Sequence, residues 1–532
     1  MNYLSTKKIA EKWQISPRRV NKYCNEGRIK GAIKLDWMWL IPEDAEKPKD
    51  RRKKENKKKT YQIKELEKRI FDYEGQVEES IKKNNGIFYT DFHMVSLMYD
   101  NIEDYVDKES NILDPCCGVG SFLLGALVKG YKNIYGLDID DNAIKIGTDL
   151  FGEEPIKMNT YDSLSNKGSK TLKHIDLPRV DIIIGNPPYV PIGEEVTLNS
   201  ELEFTKKVEK NGNNLFIAAL LRALELVRES GIISYIIPKN FLHVNSYKAI
   251  RKQILEEYKI ISIVDIGVYF KNVRGEQIVL TIKKEKPDAD HNMEFKRLID
   301  GKFVSLIKIN QGYFDNEILL FESEEEIKIY EKLNKNYKKL GQICTGYIGR
   351  GRSKSEEAIS GKNLIKFGFK NTNHKVPRTG NQIFIQNIYS SESGIIGSFA
   401  GDLQAKETVT IITDGDENIC RYLLGVLHSR LANYYLVKYC YNNSKLTMHT
   451  DAKYIKKLPI IMDIDSDSYK EVINLVRKLE ELDYLSEEWI NTYEYLNELI
   501  YKIYGFSVDE IRFIEDYMKK IQSKRWFDNN GR

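Results

Sequence analysis

Asn186-Pro187-Pro188-Tyr189 is the stretch best equipped for chemistry, and it closes a short apolar run, Val180-Asp181-Ile182-Ile183-Ile184-Gly185. The two prolines fix φ and remove backbone donors, so the carbonyls beside them stay free to accept hydrogen bonds from a ligand. An amide oxygen, a rigid carbonyl and an aromatic ring then converge on one point. That set suits a planar substrate with an exocyclic NH2, whose two hydrogens need two acceptors while its face needs a stacking partner. A β-branched run ended by Gly and paired prolines reads as a buried parallel strand that stops at the carboxyl edge of a sheet. Open α/β sheets place their ligands at that edge.

A second cluster supplies the other half of a site. Ile112-Leu113-Asp114-Pro115-Cys116-Cys117-Gly118-Val119-Gly120-Ser121-Phe122 reads as a strand end, a glycine turn and a helix start. Its spacing is Asp-x-x-x-Gly-x-Gly rather than Gly-x-Gly-x-x-Gly. A dinucleotide brings a pyrophosphate and calls for a helix N-terminus to neutralise it. S-adenosylmethionine brings an ammonium, a sulfonium and a carboxylate instead, and an acid at Asp114 beside the turn matches that chemistry better. Ile134-Tyr135-Gly136-Leu137-Asp138-Ile139-Asp140 is a second strand ending in acid, with Asp138 twenty residues after Gly118 (138 minus 118) and placed to accept both ribose hydroxyls. Asp162, at a third strand end, can accept from an adenine amino group with Ile139 and Ser163 along the ring, or can serve simply as a turn residue. Gly86-Ile87-Phe88-Tyr89-Thr90 precedes the first strand and fits the same pocket through Tyr89 and Thr90. Cys116 and Cys117 read as small side chains that tolerate close packing.

The elements that must hold these groups are set by the rest of the chain. Its 532 residues exceed one core and predict about three or four domains. Lys and Arg total 82 against 78 Asp and Glu, a net charge of +4, so any nucleic-acid surface must come from local segregation of charge. No apolar run approaches a bilayer span and the N-terminus lacks a signal-peptide core, which predicts a cytoplasmic protein with no membrane contact. The six cysteines and seven histidines show neither a disulfide framework nor metal-ligand spacing. Residues 1–46 read as helix, tight turn, helix and a strand, Trp37-Met38-Trp39-Leu40-Ile41. Ser5 caps the first helix, Ser16-Pro17 begins the second, and Arg18, Arg19 and Lys22 point outward. This unit resembles the winged helix-turn-helix domains of the excisionase and MerR-like type, which implies DNA contact, although a docking or structural role is the alternative. Residues 47–83 read as a basic, solvated linker followed by a helix.

Taken in order, these pieces resemble the γ-class amino-methyltransferases that methylate adenine in DNA in restriction-modification and related defence systems. The order is Gly-Ile-Phe-Tyr-Thr, Asp-Pro-Cys-Cys-Gly-Val-Gly, the Asp138 strand, Asp162-Ser163, Asn-Pro-Pro-Tyr, and the helix start Asn213-Asn214-Leu215-Phe216. A strand over Gly231–Pro238 follows, and then Tyr269-Phe270-Lys271-Asn272, where the family places a second base-stacking aromatic. One departure stands out: the family has Pro after the Thr of its first motif, and this chain has Asp91. The resemblance implies a Rossmann-like, S-adenosylmethionine-dependent α/β domain over 84–295. It also implies a mixed α/β target-recognition domain of the TaqI type over 296–465 and a helical region over 466–532. Its implied substrate is the N6 amino group of an adenine flipped out of double-stranded DNA, with Asn186 and Pro187 as acceptors and Tyr189 and Phe270 stacking on the base. A monomer, with a possible separate restriction endonuclease, completes the expectation.

In the second half, Tyr347-Ile348-Gly349-Arg350-Gly351-Arg352-Ser353-Lys354 reads as a Gly-spaced basic loop whose Arg350, Arg352 and Lys354 can read guanine edges or hold phosphates, or simply form a solvated turn. The stretches Leu423–Ser429 and Met448-His449-Thr450-Asp451 through Ile460 resemble the same family's recognition domain. Gly505 predicts a helix stop, and Ser507 with Glu510 predicts a capping box for a last helix. Pro287-Asp288 followed by Glu294-Phe295-Lys296 matches a nuclease pattern only by chance, since its carboxylates lie too close in sequence, so modification without cutting is expected. Two other readings stay open. One is methylation of an RNA base or a protein glutamine amide, because the Asn-Pro-Pro-Tyr turn serves those reactions too. The other is a non-catalytic regulator that only senses cofactor, for which an amide and a stacking ring at the sheet edge have no use.

Overall fold

A computed structural model describes residues 2–35, 38–48, 64–72, 75, 90–164, 177–193, 198, 202–270, 275–444, 446 and 448–521. The chain divides into two compact units, Met1–Gly75 and Gln76–Arg532, and each is described by itself.

In the first unit, Ser5 caps the helix Thr6–Trp13 by accepting from the Lys8 amide, and Ile9, Ala10 and Trp13 turn inward at helical spacing. Gln14 takes a left-handed φ of 51° and ends that helix. Pro17 then opens the helix Pro17–Asn25, which buries Val20, Tyr23 and Cys24 and leaves Arg18, Arg19 and Lys22 exposed. Three short strands, β1 (Tyr3–Ser5), β2 (Ile33–Leu35) and β3 (Met38–Pro42), pair antiparallel in the order β1-β3-β2. β3 is the expected Trp37–Ile41 strand moved by one residue, with Trp37 itself outside the described residues. The expected linker lies mostly outside them too, as does the helix expected over Tyr61–Lys83 apart from helical residues 64–72 and Gly75.

The second unit is built on a nine-stranded sheet. Its parallel part comprises β4 (Asn111–Asp114), β5 (Asn133–Asp138), β6 (Ile156–Thr160), β7 (Val180–Gly185) and β8 (Val227–Pro238). β9 (Lys259–Gly267), β10 (Gln277–Lys283), β11 (Asn292–Ile299) and β12 (Lys302–Asn310) complete it, in the order β6-β5-β4-β7-β8-β10-β9-β11-β12. β10 runs antiparallel between β8 and β9. Ile182, Ile183 and Ile184 of β7 are fully buried, as a continuous apolar strand covered on both faces must be. The chain winds outward through β4, β5 and β6 and then returns to place β7 on the other side of β4. The two carboxyl ends at that switch point, Asp114 and Gly185, are those whose following turns carry the chemistry.

The expected boundary at residue 295 falls inside β11. That strand pairs parallel with β9 and antiparallel with β12, so the sheet runs on to Asn310. Beyond it, a four-stranded sheet is formed by Ile348–Arg350, Val409–Thr413, Gln382–Gln386 and Gly397–Phe399, in that order. The helices Glu417–His428, Asp467–Glu481, Glu487–Ile503 and Val508–Ile521 follow. Gly505, at φ 63°, stops the third of these. Ser507 and Glu510 form the expected reciprocal cap, with the Ser507 amide donating to Glu510 at 2.7 Å and the Glu510 amide to Ser507 at 3.3 Å. Asp288, of the nuclease-like pattern, pairs with Lys259 at 2.7 Å, and Glu294 pairs with Lys296 at 3.0 Å, so both serve as ion-pair partners. Among the described residues no helix is long and apolar enough to cross a membrane.

A buried ionic network joins the sheet to the C-terminal helices. Arg297 of β11 pairs with Glu322 at 2.7 Å, and Lys438, 1 % exposed, reaches both Glu322 at 3.0 Å and the buried Glu326 at 2.5 Å. Removing one member of such a cluster leaves buried charge uncompensated. Lys438→Ala is therefore expected to cost roughly 3–5 kcal/mol of unfolding free energy, read as a lowered urea midpoint. A cost below about 1 kcal/mol would place the pair with weak surface bridges.

Candidate active site

Asp114 ends β4 with its side chain 1 % exposed and accepts a hydrogen bond from the Cys116 amide at 3.1 Å. Among the described residues no cation pairs with it. Burial pushes its carboxyl up to about 8, with Asp138 adding to the shift and the Cys116 amide opposing it. Across the switch point the backbone of Gly185 lies so close that a Cβ there would stand 2.6 Å from the Asp114 Oδ1. Gly185 therefore does more than end a strand: it lets the acid of one turn sit against the first residue of the other.

The glycine turn is shaped by its backbone. Gly118 and Gly120 have φ of 53° and 101°, and a Cβ on Gly120 would meet the Phe151 ring at 2.6 Å. Asp138 clamps this turn to β5, accepting from the Gly118 amide at 2.7 Å and the Asp140 amide at 2.9 Å. Burial raises its carboxyl as well, against those two amides. Each of its oxygens keeps a second lone pair with which to accept a ribose hydroxyl. Ile139 beside it is 71 % exposed, an apolar face with no protein cover. Ser163 is buried, and its hydroxyl donates to the Pro115 carbonyl, so it braces the turn. Asp162 accepts from the Leu164 amide at 3.2 Å in a local turn. Cys116 is half-buried and Cys117 buried.

The Asn186–Tyr189 turn lies next to this. Asn186 donates through its Nδ2 to the Oγ1 of buried Thr90 at 3.2 Å. The Tyr189 hydroxyl lies within hydrogen-bond reach of the Asn186 Oδ1, and of the Ile236 carbonyl at 2.9 Å. The half-buried Tyr189 ring meets Phe216 edge-on at 6.3 Å. Pro187 is buried, and Tyr89 lies outside the described residues. Phe270 is half-buried and packs edge-on against Tyr269 at 5.3 Å, while residues 271–274 lie outside the described residues.

Two features escaped sequence reasoning. Asp91 caps the helix Phe92–Ile102 through the Met94 amide at 3.1 Å and accepts the Tyr269 hydroxyl at 2.6 Å. The departure from the family pattern thus ties the segment after Thr90 to the aromatic pair carrying Phe270. Lys239, buried after β8, pairs with Asp265 at 2.9 Å and Glu276 at 3.5 Å and fixes the strands that flank the same aromatic pair. Of the charged candidates, Arg350 ends a strand instead of lying in a loop, and Arg352 and Lys354 are exposed. Arg18, Arg19 and Lys22 belong to the other unit. There Lys22 pairs with Glu26 at 3.8 Å, and Arg19 donates to the Tyr23 hydroxyl at 3.2 Å.

Comparison with known proteins matches residues 73–334 to the N-6 DNA Methylase family. The type II methyltransferase M.VspI of Vibrio sp. (strain 343) is 29 % identical over 231 residues, covering 41 % of this chain and 53 % of that protein. A putative protein N5-glutamine methyltransferase of Methanocaldococcus jannaschii is 26 % identical over 137 residues, covering 26 % of this chain and 65 % of that protein. The chain spans about half the length of the curated relatives M.VspI and CviBIII. Among solved structures, the type IIL restriction-modification enzyme MmeI in complex with DNA aligns over 81 % of this chain and 76 % of its own, at 12 % identity and a TM-score of 0.50. The match to the N-6 DNA Methylase family implies S-adenosyl-L-methionine as the cofactor. The residues present fit it. Asp114 is a buried acid without a cation among the described residues, and Ile139 offers an apolar face.

These positions set the pH response. The unliganded protein holds the Asp114 proton up to about pH 8, so the contribution of this group to folding is present below the ordinary carboxylate range and is lost as pH rises to about 8. An ammonium pairs only with the ionised form. Binding of S-adenosylhomocysteine, which carries the same ammonium, is expected to weaken by up to about tenfold per unit as pH falls from about 8 to about 6. Asp114→Asn should bind more weakly and without that slope. Titration calorimetry across this range checks it, and an equal slope in the variant contradicts the assignment.

Proposed function

We propose that the chain is a site-specific DNA methyltransferase of the γ-class type, acting on the exocyclic N6 of an adenine flipped out of duplex DNA, with its C-terminal half as the target-recognition domain. The observation that carries this reading is the close approach of Gly185 to Asp114, which sets an amine-accepting turn directly beside a turn fitted to the cofactor. S-adenosyl-L-methionine, when bound, supplies a methyl group made electrophilic by its sulfonium.

The task left to the chain is to make a weak nucleophile attack. The adenine amino lone pair is delocalised into the ring, and acceptors on both hydrogens favour the pyramidal, more nucleophilic nitrogen. The Asn186 Oδ1 and the Pro187 carbonyl are those acceptors. Tyr189 has one hydroxyl proton for two acceptors, so handing it to the Ile236 carbonyl opens the amide oxygen to substrate. Thr90 orients the amide by taking its NH2. Tyr189 and Phe270 stack on the extruded ring, and Asp91 holds the segment carrying Phe270 through Tyr269. The methylated nitrogen is strongly acidic and releases its surplus proton to solvent, so no shifted general base and no covalent intermediate are needed.

Duplex DNA is favoured over an RNA base or a glutamine amide by the large second domain beyond Asn310 and by the exposed basic face of the first unit, which we read as a helix-turn-helix module. The type II methyltransferases among its relatives support the same choice. A separate endonuclease partner fits this class, and so does a monomer.

Purified protein given methyl-labelled cofactor and duplex DNA of random sequence should place label in N6-methyladenine. Asn186→Ala should lower the rate by roughly 10²- to 10³-fold. Arg18→Glu with Arg19→Glu should raise KM for DNA and leave kcat unchanged. Label in N4-methylcytosine, RNA or protein glutamine, or full activity in Asn186→Ala, contradicts the proposal.

A further inference from the structure

Arg350 stands at the end of its strand between Gly349 and Gly351; Gly351 is packed against fixed backbone too tightly for a side chain, while Gly349 faces only the exposed Tyr347 ring. A Cβ on Gly349 would lie 2.3 Å from the Tyr347 hydroxyl, and one on Gly351 would lie 2.5 Å from the Ala405 carbonyl. The Arg350 side chain is half-exposed, and Asp451 Oδ1 accepts from its Nε at 3.1 Å and its Nη2 at 2.9 Å. A surface ion pair of this kind contributes little to stability. Yet buried polar groups are committed to holding Asp451. Asn387, 3 % exposed, donates to the same Oδ1 at 3.1 Å, and its NH2 also donates to the buried Thr410 hydroxyl at 3.0 Å. Its carbonyl oxygen meets the His449 Nδ1 at 2.9 Å, and Thr410 donates to the Thr450 carbonyl at 2.9 Å. Asp451 occupies the N-cap position of the helix Ala452–Ile455 and makes no cap bond with its side chain. The carboxylate forgoes the usual task of that position and holds a guanidinium instead.

We propose that Arg350, braced by Asp451, reads the edge of a guanine in the recognition sequence. This rests on the DNA reading above. Asp451 takes the Nε–H and one Nη2–H, which leaves the Nη1 and Nη2 fork directed outward, the two parallel donors that match guanine O6 and N7. Asp451 also cancels the charge. Burial pushes its carboxyl up, but Asn387 and Arg350 outweigh that and hold it below the ordinary range, so it is ionised at neutral pH. A neutralised arginine has little value for phosphate, where affinity comes from net charge and counterion release, and keeps its full value for a base edge, where geometry decides. Arg352 and Lys354 carry no ion pair among the described residues, so they are the backbone holders in this loop. Asp451 is a positioning residue that acts through Arg350.

The test is methylation of a pool of duplexes with a randomised target, sequenced to give the preference at each position, with full-length protein and thermal melts to confirm folding. Wild type should require a G·C pair at one position. Arg350→Ala and Arg350→Lys should each relax that position alone, by roughly 10- to 100-fold in discrimination, with the other positions unchanged. Asp451→Asn should relax the same position in part, and Arg352→Ala should lower methylation evenly with the motif intact. An even loss across all sequences in the Arg350 variants, partial or complete, overturns the proposal and makes Arg350 a phosphate contact, as does relaxation at a different position in Asp451→Asn. A pool left unmethylated by wild type fails the DNA reading itself.

Discussion

The site depends on a buried carboxylate resting against bare backbone, with no Cβ between them. At the switch point of the sheet, Gly185 of β7 lies against the carboxylate that ends β4, and any larger residue would push the two turns apart. On the proposed function, that contact sets the distance between a cofactor whose ammonium pairs with Asp114 and an amine accepted at Asn186. In-line transfer demands reacting atoms within about 3–3.5 Å, so the spacing of neighbouring parallel strands does part of the positioning. The remaining hydrogen bonds stabilise this junction from both sides: Asp138 fastens the glycine turn to β5, and Thr90 orients the Asn186 amide.

The arrangement costs stability. Asp114 and Asp138 are both buried acids whose carboxyls sit above their ordinary range, and among the described residues Asp114 has no cation. A core selected only for folding would replace them, since buried unpaired carboxylates oppose the folded state. Their retention is what a site awaiting a cationic ligand looks like. Compensation comes from elsewhere in the same unit, where the Arg297, Glu322, Lys438 and Glu326 cluster joins the sheet to the C-terminal helices.

What the sequence made legible was what is encoded locally. The turn after β7, the glycine turn after β4 and the acid of β5 each lie within a dozen residues, and their residue types leave few alternatives. The same holds for Gly505 and the Ser507–Glu510 cap, whose signals span four residues. What stayed hidden was pairing between distant segments. Asp91 and Tyr269 are 178 residues apart, and Arg350 and Asp451 are 101 apart, so nothing near either residue announces the other. The domain edge was misplaced for a related reason: β12 is an edge strand with Lys302 and Lys308 on it, and its half-exposed pattern reads as surface. Tyr89, placed in the cofactor pocket by its position ahead of the first strand, lies outside the described residues.

The central claim is that one turn of this chain accepts both hydrogens of an adenine amino group drawn out of the helix. Its most direct test is the structure of the protein with a cofactor analogue and a duplex carrying its target. The extruded amino nitrogen should lie within hydrogen-bond distance of both the Asn186 Oδ1 and the Pro187 carbonyl, with the ammonium of the analogue on Asp114. An adenine still stacked in the duplex, or an amino group held by other residues, would contradict the account.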